Sequence, residues 1–148
     1  MIPSPRIISF IKGFESCRLK AYLPTPRDHP TIGWGSTGPD IALGLTWTQA
    51  ECDNRFLDDL RSVGDRLTEI IGAASTSQDQ FDAMLSLAYN AGPSIYHSSL
   101  MIYHREGRYE HAAAEFLQWD HQAGEVLPGL LRRREAEAAI YQGSSNHV

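Results

Sequence analysis

The chain has 148 residues and a mass of 16.5 kDa, with 42% hydrophobic and 21% charged residues, the balance of one globular domain with its own core and not of a disordered segment. Thirteen Lys and Arg against 18 Asp and Glu leave a formal charge of -5, which argues against broad electrostatic binding to nucleic acid or to an anionic membrane. Two cysteines, Cys17 and Cys52, fit no disulfide framework and no zinc spacing, and read as small buried or half-buried residues of a reducing compartment.

The first fifteen residues carry an apolar stretch broken by Lys12, without the long hydrophobic region and small-residue cleavage site of an export signal. No run approaches the roughly 18 apolar residues of a membrane span. The expectation is a chain that is soluble when made and does not insert stably into a membrane. Ile7, Ile11 and Phe14 follow the spacing of one helix face behind Pro5, which a first helical turn tolerates. Leu19, Tyr22, Ile32 and Trp34 then alternate with prolines and glycines and predict a small antiparallel sheet, extended by Ile41, Ala42 and Leu43.

Thr46 and Gln49 form a capping-box signature ahead of Phe56, Leu60, Val63, Leu67 and Ile70, so a long amphipathic helix is expected from about Thr48. Its other face, with Asp53, Asp58, Asp59, Arg61 and Asp65, reads as solvated. Ser77 with Gln80 opens another capped helix that buries Phe81, Met84, Leu85 and Ala88 and stops at Gly92-Pro93. Further helices are predicted near Ser98, near Arg108 and from Pro128 to Gly143, with a frayed tail over residues 144–148. The fold class is α+β, mostly helical, with one small sheet near the N-terminus.

Glu15 directly follows the first helix, where the negative end of the helix dipole disfavours a second negative charge. A carboxylic acid held protonated is what a general acid in glycoside hydrolysis must be, although a lone Glu at a helix end is more often a surface residue. The surrounding strings are Phe14-Glu15, Arg18-Leu19-Lys20-Ala21-Tyr22 and Thr31-Ile32-Gly33-Trp34-Gly35-Ser36-Thr37. Further on stand Gly44-Leu45-Thr46, Gln49-Ala50, Gln80-Phe81-Asp82-Ala83, Tyr89-Asn90-Ala91-Gly92, Ser98-Ser99-Leu100, Trp119, Gly129-Leu130, Arg133-Arg134 and Glu137. Together they resemble the phage-type lysozymes, glycoside hydrolase family 24, over nearly the whole chain.

The resemblance implies a muramidase that cleaves the β-1,4 bond between N-acetylmuramic acid and N-acetylglucosamine in peptidoglycan, working as an endolysin in host cell lysis. It implies one lysozyme domain over residues 1–148, a small lobe at about 15–46 with the first helix, a helical lobe at about 70–143, and a saccharide cleft between them. Glu15 and Thr31 take the places of the family's catalytic Glu and Thr, Thr31 orienting the attacking water. The family's Asp or Cys stands nine residues after the Glu, which here is Pro24, and the loop before Thr31 is one residue longer. Asp28 is the only carboxylate between Glu15 and Asp40. By elimination it is the candidate second carboxylate, held by a loop that Pro24, Pro26 and Pro30 stiffen, with support of a turn as its simpler role.

Ser36 departs from the family's usual His. Arg133 or Arg134 resembles the Arg that packs near the catalytic Glu, and a cation there would oppose the effect of the helix end. Tyr89 and Asn90 occupy the stretch that borders the sugar, where Asn90 can hydrogen-bond an acetamido group or, alternatively, cap its helix. Trp34, Trp47 and Trp119 could stack on sugar or fill the core. Cys17 with His29 is the rival nucleophile and base, and lacks an orienting third group.

No metal and no cofactor is expected, since His97, His104, His111, His121 and His147 are scattered. The expected partner is peptidoglycan glycan strands, with no nucleic acid, a monomeric chain, and dependence on a separate holin-like factor. The protein would stay in the host cytoplasm until the membrane is permeabilised and then act at the wall or periplasm. The rival functions are a lytic transglycosylase and a catalytically impaired peptidoglycan-binding module.

Overall fold

A computed structural model describes residues 1–122 and 125–143, so the expected tail at 144–148 lies outside the described residues. In chain order the elements are α1 (Pro5–Phe14), β1 (Arg18–Tyr22), β2 (Thr31–Gly33), α2 (Gln49–Ile71), α3 (Gln78–Ala91), α4 (Ser99–Arg105), α5 (Tyr109–Glu115), β3 (His121–Gln122), β4 (Glu125–Val126) and α6 (Pro128–Tyr141). Single 3₁₀ turns at Pro93–His97 and Phe116–Gln118 precede α4 and follow α5. Ser9–Ser62 forms one compact unit and Met1–Ile8 with Val63–Val148 the other, with α1 and α2 each contributing residues to both.

In the unit Ser9–Ser62, β1 and β2 pair antiparallel, with Arg18 opposite Gly33 and Tyr22 opposite Thr31. The segment running along the other edge of β1 is not the expected Ile41-Ala42-Leu43. Leu45 and Trp47 fill that place: Ala21 donates its amide to Leu45 O at 2.9 Å and Trp47 its amide to Leu19 O at 2.8 Å. Ile41 instead closes a turn on Gly38 and sends its side chain into a small core with Ala21 and Ile32. A tight hairpin follows β2, Ile32 and Ser36 exchanging both backbone bonds. It requires φ of +66° at Gly33 and +106° at Gly35, values a side chain would strain.

Because Thr46 is used in a bridge with Lys20, α2 cannot start there. Its capping box lies two residues later: Glu51 donates its amide to Thr48 Oγ1 at 3.2 Å while Glu51 Oε1 accepts from the Thr48 amide at 3.1 Å. Cys52, Phe56, Leu60 and Leu67 are buried along α2 as the periodicity requires. Its charged face departs from expectation. Asp53 accepts from Trp34 Nε1 at 2.8 Å, Asp59 accepts from Ser36 Oγ at 2.6 Å and from Arg55 Nε at 2.9 Å, and Arg55 reaches Asp40 at 2.7 Å. Those carboxylates fix the glycine hairpin, whereas Asp58, Arg61 and Asp65 are exposed. Phe14, expected on the apolar face of α1, is 45% exposed.

In the other unit, α3 begins with the predicted Ser77 and Gln80 capping box, and every residue from Phe81 to Ala88 is buried. Asp82, among them, accepts from the backbone and hydroxyl of Ser4, and Ser4 Oγ in turn accepts from the Ile7 amide. Helix α6 packs chiefly on α3. Between α4 and α6 the fully buried His104 lies 2.7 Å from Tyr141 through Nδ1 and 2.8 Å from Thr76 Oγ1 through Nε2. Thr76 gives its hydroxyl proton to Ala74 O, so Nε2 carries the ring proton and Tyr141 donates to Nδ1. Tyr109 lies tilted against the His104 ring and donates to Ser75 O at 2.7 Å.

Candidate active site

Glu15 sits in the unit Ser9–Ser62, at the last turn of α1, where its amide donates to Ile11 O at 3.2 Å. The residue is half-buried. Three residues on, at Arg18, the chain enters β1, so the carboxylate stands where a helix hands over to the sheet. Lys12, on the same turn, lies 3.8 Å from Asp53 and over the Trp34 ring.

Between the strands, Asp28 donates its amide to Thr25 O at 3.1 Å and closes the turn Thr25-Pro26-Arg27-Asp28, with Pro26 where such a turn favours proline. Pro24 and the Asp28 side chain are exposed. Thr31 opens β2, only 7% exposed, and its hydroxyl donates to His29 O at 3.0 Å. Its proton being committed, the lone pairs of Oγ1 are what it offers to a ligand or water. Ser36, at the usual His position, is buried and bonded to Asp59, so a neutral tie to α2 stands there. His29 is exposed, and Cys17 bonds to Gln49, not to His29.

The remaining predicted residues belong to the other unit, where Arg133 and Arg134 gather around a carboxylate that the sequence did not single out as a centre. Glu137 is fully buried on α6. Arg134 Nε lies 2.8 Å from its Oε1, Arg133 Nε 3.4 Å from its Oε2, and Ser86 of α3 donates to Oε2. Burial pushes the Glu137 carboxyl above its ordinary range, while both guanidiniums and the Ser86 hydroxyl pull back toward the charged form. Burial likewise lowers Arg134, with Glu137 opposing. Of the arginine triplet only Arg132 is exposed. Glu137 stands at i+4 from Arg133 and at i+3 from Arg134, so one helix face carries all three charges, the signal that could have identified the cluster.

Arg134 Nη2 also donates to Asn90 Oδ1 at 2.6 Å. That bond fixes the amide of the exposed Asn90 and turns its Nδ2 donors away from Arg134. Asn90 and Arg134 line a pocket of about 470 Å³ with Ala91, Gln118, Trp119, His121 and Leu130. Trp119 borders a second hollow of about 410 Å³, with Ser94, Ser98 and Ser99 among its neighbours. Of the three tryptophans, Trp34 is tied to Asp53 and Trp47 packs on the Ala21 core, so Trp119 is the one that walls these pockets. Gln118 and His121 had no sequence signal as lining residues and Leu130 stood only in a family string, since the pocket joins the end of α3 to turns and a helix start remote from it in the chain. Tyr89 is half-buried beside Asn90 at the end of α3.

Residues 12–137 match a family model described as phage lysozyme. The endolysin of Bacillus phage PZA is 38% identical over 140 residues, 93% of this chain and 54% of that protein. The chain thus spans about half the length of the first curated relatives it matches. The endolysin of Salmonella phage P22 is 34% identical over 90% of this chain and 93% of its own. Among solved structures, a mutant P22 lysozyme superposes with a TM-score of 0.79 at 35% identity, covering 96% of this chain and 99% of that one.

Proposed function

The chain belongs to the phage lysozyme family, and from that premise we propose that it is a muramidase hydrolysing the β-1,4 bond between N-acetylmuramic acid and N-acetylglucosamine in peptidoglycan, as the endolysin of a phage or prophage. The observation that carries this reading is a half-buried Glu15 at the end of α1, within the matched residues and followed by a hairpin that presents the nearly buried Thr31. In the proposed step, Glu15 gives its proton to the glycosidic oxygen as that bond breaks, and a water oxygen takes the sugar's anomeric carbon. Thr31 holds that water through its free lone pairs. Asp28 takes the water's proton, and its position on a proline-stiffened turn keeps that side chain where water reaches it. Asn90 donates Nδ2 to a carbonyl oxygen of the glycan, and Arg134 serves by fixing that amide. Tyr89 borders the sugar, and Arg133 with Arg134 holds Glu137 on α6.

No helix among the described residues is long and apolar enough to cross a membrane. We further propose that the wall is reached through a separate holin-like factor, the protein waiting in the cytoplasm until then. The exposure of Asp28 favours one alternative, a lytic transglycosylase that needs the acid alone and leaves an anhydro product. Turbidity clearing of purified cell walls tests the assignment. Wild type should clear them, Glu15→Gln should be slower by roughly 10²- to 10⁴-fold with an unchanged fold, and the released muropeptides should carry the mass of added water. Clearing by Glu15→Gln at the wild-type rate would remove the reading, and anhydro products would replace it with the transglycosylase.

A further inference from the structure

Cys17 lies on the link between α1 and β1 and Cys52 in the first turns of α2, and the fold brings the two stretches together. The Cys17 sulfur accepts from the side-chain amide of Gln49 at 3.5 Å, and Gln49 stands one helical turn before Cys52. In the other direction the Cys52 thiol reaches the carbonyl oxygen of Arg18, the neighbour of Cys17, at 4.0 Å. Two contacts, each from a different side chain, therefore join the same pair of segments. Gly33 closes in from the hairpin, where an added Cβ would meet Cys52 Cβ and Sγ at 3.4 Å. The Cys52 thiol is pushed up to about 11, by burial first and then by the Cys17 thiol beside it.

The two thiols differ in access. Cys17 is half-buried and can be reached from solution, whereas Cys52 is fully buried and can be reached only by a group already held next to it. We propose that Cys17 and Cys52 are a redox pair that closes into an intramolecular disulfide when the protein meets a small disulfide oxidant, tying the segment that follows Glu15 to the first turns of α2.

The Cys17 thiolate attacks one sulfur of the oxidant, whose own sulfur-sulfur bond breaks and releases one thiol. Cys52 then loses its proton and its sulfur attacks Cys17, expelling the second thiol. The protein gives up two electrons and two protons, and the oxidant is reduced to two thiols. A poorly acidic Cys52 is a weak attacker of anything in solution, but beside Cys17 it needs no encounter. In a reducing cytoplasm the pair stays open, and in an oxidising compartment it closes. The closed loop runs from 17 to 52 and contains the Asp28 turn, β2 and the glycine hairpin, so closure restricts the unfolded chain over that whole stretch.

The test uses the full chain purified under reductant and then exposed to oxidised glutathione. The intact mass should fall by two hydrogens, both thiols should be lost to labelling together, the chain should remain monomeric on a non-reducing gel, and Tm should rise by about 5 to 10 °C and return on reduction. Cys17→Ser should show neither the mass loss nor the Tm rise. Cys52→Ala should stop at a glutathione adduct on Cys17, which keeps the idea testable even if one variant folds poorly. Accumulation of that adduct in wild type, disulfide-linked dimers, or an unchanged Tm after oxidation would overturn the proposal. These readouts do not involve wall lysis, so they stand or fall separately from the muramidase assignment.

Discussion

Glu15 and Glu137 are both glutamates of helical segments, one in each compact unit, and their surroundings ask opposite things of them. Glu15 is half-buried at a helix end, beside a strand and a turn that stay within reach of water. Glu137 lies in mid-helix, fully buried, with two arginines and a serine on its oxygens. A carboxyl that must pass a proton to a substrate needs access, and a carboxyl that anchors two buried cations needs the reverse. The family match spans both, so mutation can separate a chemical role from an architectural one.

Glu15→Gln heads the series, with most wall lysis lost and urea unfolding nearly unchanged. Glu137→Gln should do the opposite. It leaves two guanidiniums buried without their counter-charge and should cost about 3 to 5 kcal/mol in urea unfolding, with activity falling only as folded protein is lost. If Glu137→Gln proved as stable as wild type, the buried centre would not be what holds α6 to α3.

Asp28→Asn comes next, with turnover on purified walls expected to fall roughly 10²-fold while binding to walls and Tm stay near wild type. Thr31→Ala should likewise lose turnover without unfolding. Undiminished turnover in Asp28→Asn would assign the turn a purely structural job and strengthen the transglycosylase alternative.

A smaller effect is expected from pH. Burial holds the His104 ring below the ordinary value of about 6.5, and the groups facing it are Tyr141, Tyr109 and Thr76. Above that value neither state is protonated and the neutral network is intact. As pH falls below it, the unfolded chain takes up a proton that the folded chain does not, so stability should decline by at most about 1.4 kcal/mol per pH unit. Denaturant midpoints measured from pH 7.5 down to 5 should show this slope, and His104→Gln should flatten it. At the small end, Arg132→Ala should change stability by less than about 0.5 kcal/mol, although the same change at its neighbour Arg134 would not be tolerated.

Helix positions were legible where a cap and an apolar period agreed, as at Ser77 with Gln80, or where a proline opened the first turn, as at Pro128. Where the backbone had another use, the local signal misled. Thr46 has the side chain of a cap, but its backbone pairs with Lys20, and the helix therefore starts at the next Thr that can cap it. Asp53 and Asp59 look like surface charge until the Trp34 and Ser36 hairpin folds over them, a pairing between residues too distant in sequence for any period to show. Helix α6 hides its role for a related reason, because its inward face is built of arginine and glutamate where a hydrophobic stripe would be sought. Of the candidate site, the Glu15 and Thr31 strings were readable as family motifs. The pocket at Trp119 was not, being assembled from turns and helix ends of different segments.

The eight consecutive buried residues of α3, from Phe81 to Ala88, give the helix no wet side over more than two turns. Their amides cannot exchange by fraying or by a local breath of one face, since every rotation of the helix is covered. Deuterium should enter them only when the surrounding helices come away together. The slowest hydrogens of α3 would then time the opening of that whole unit, and a substitution on α6 that never touches those amides would still be read in their rate.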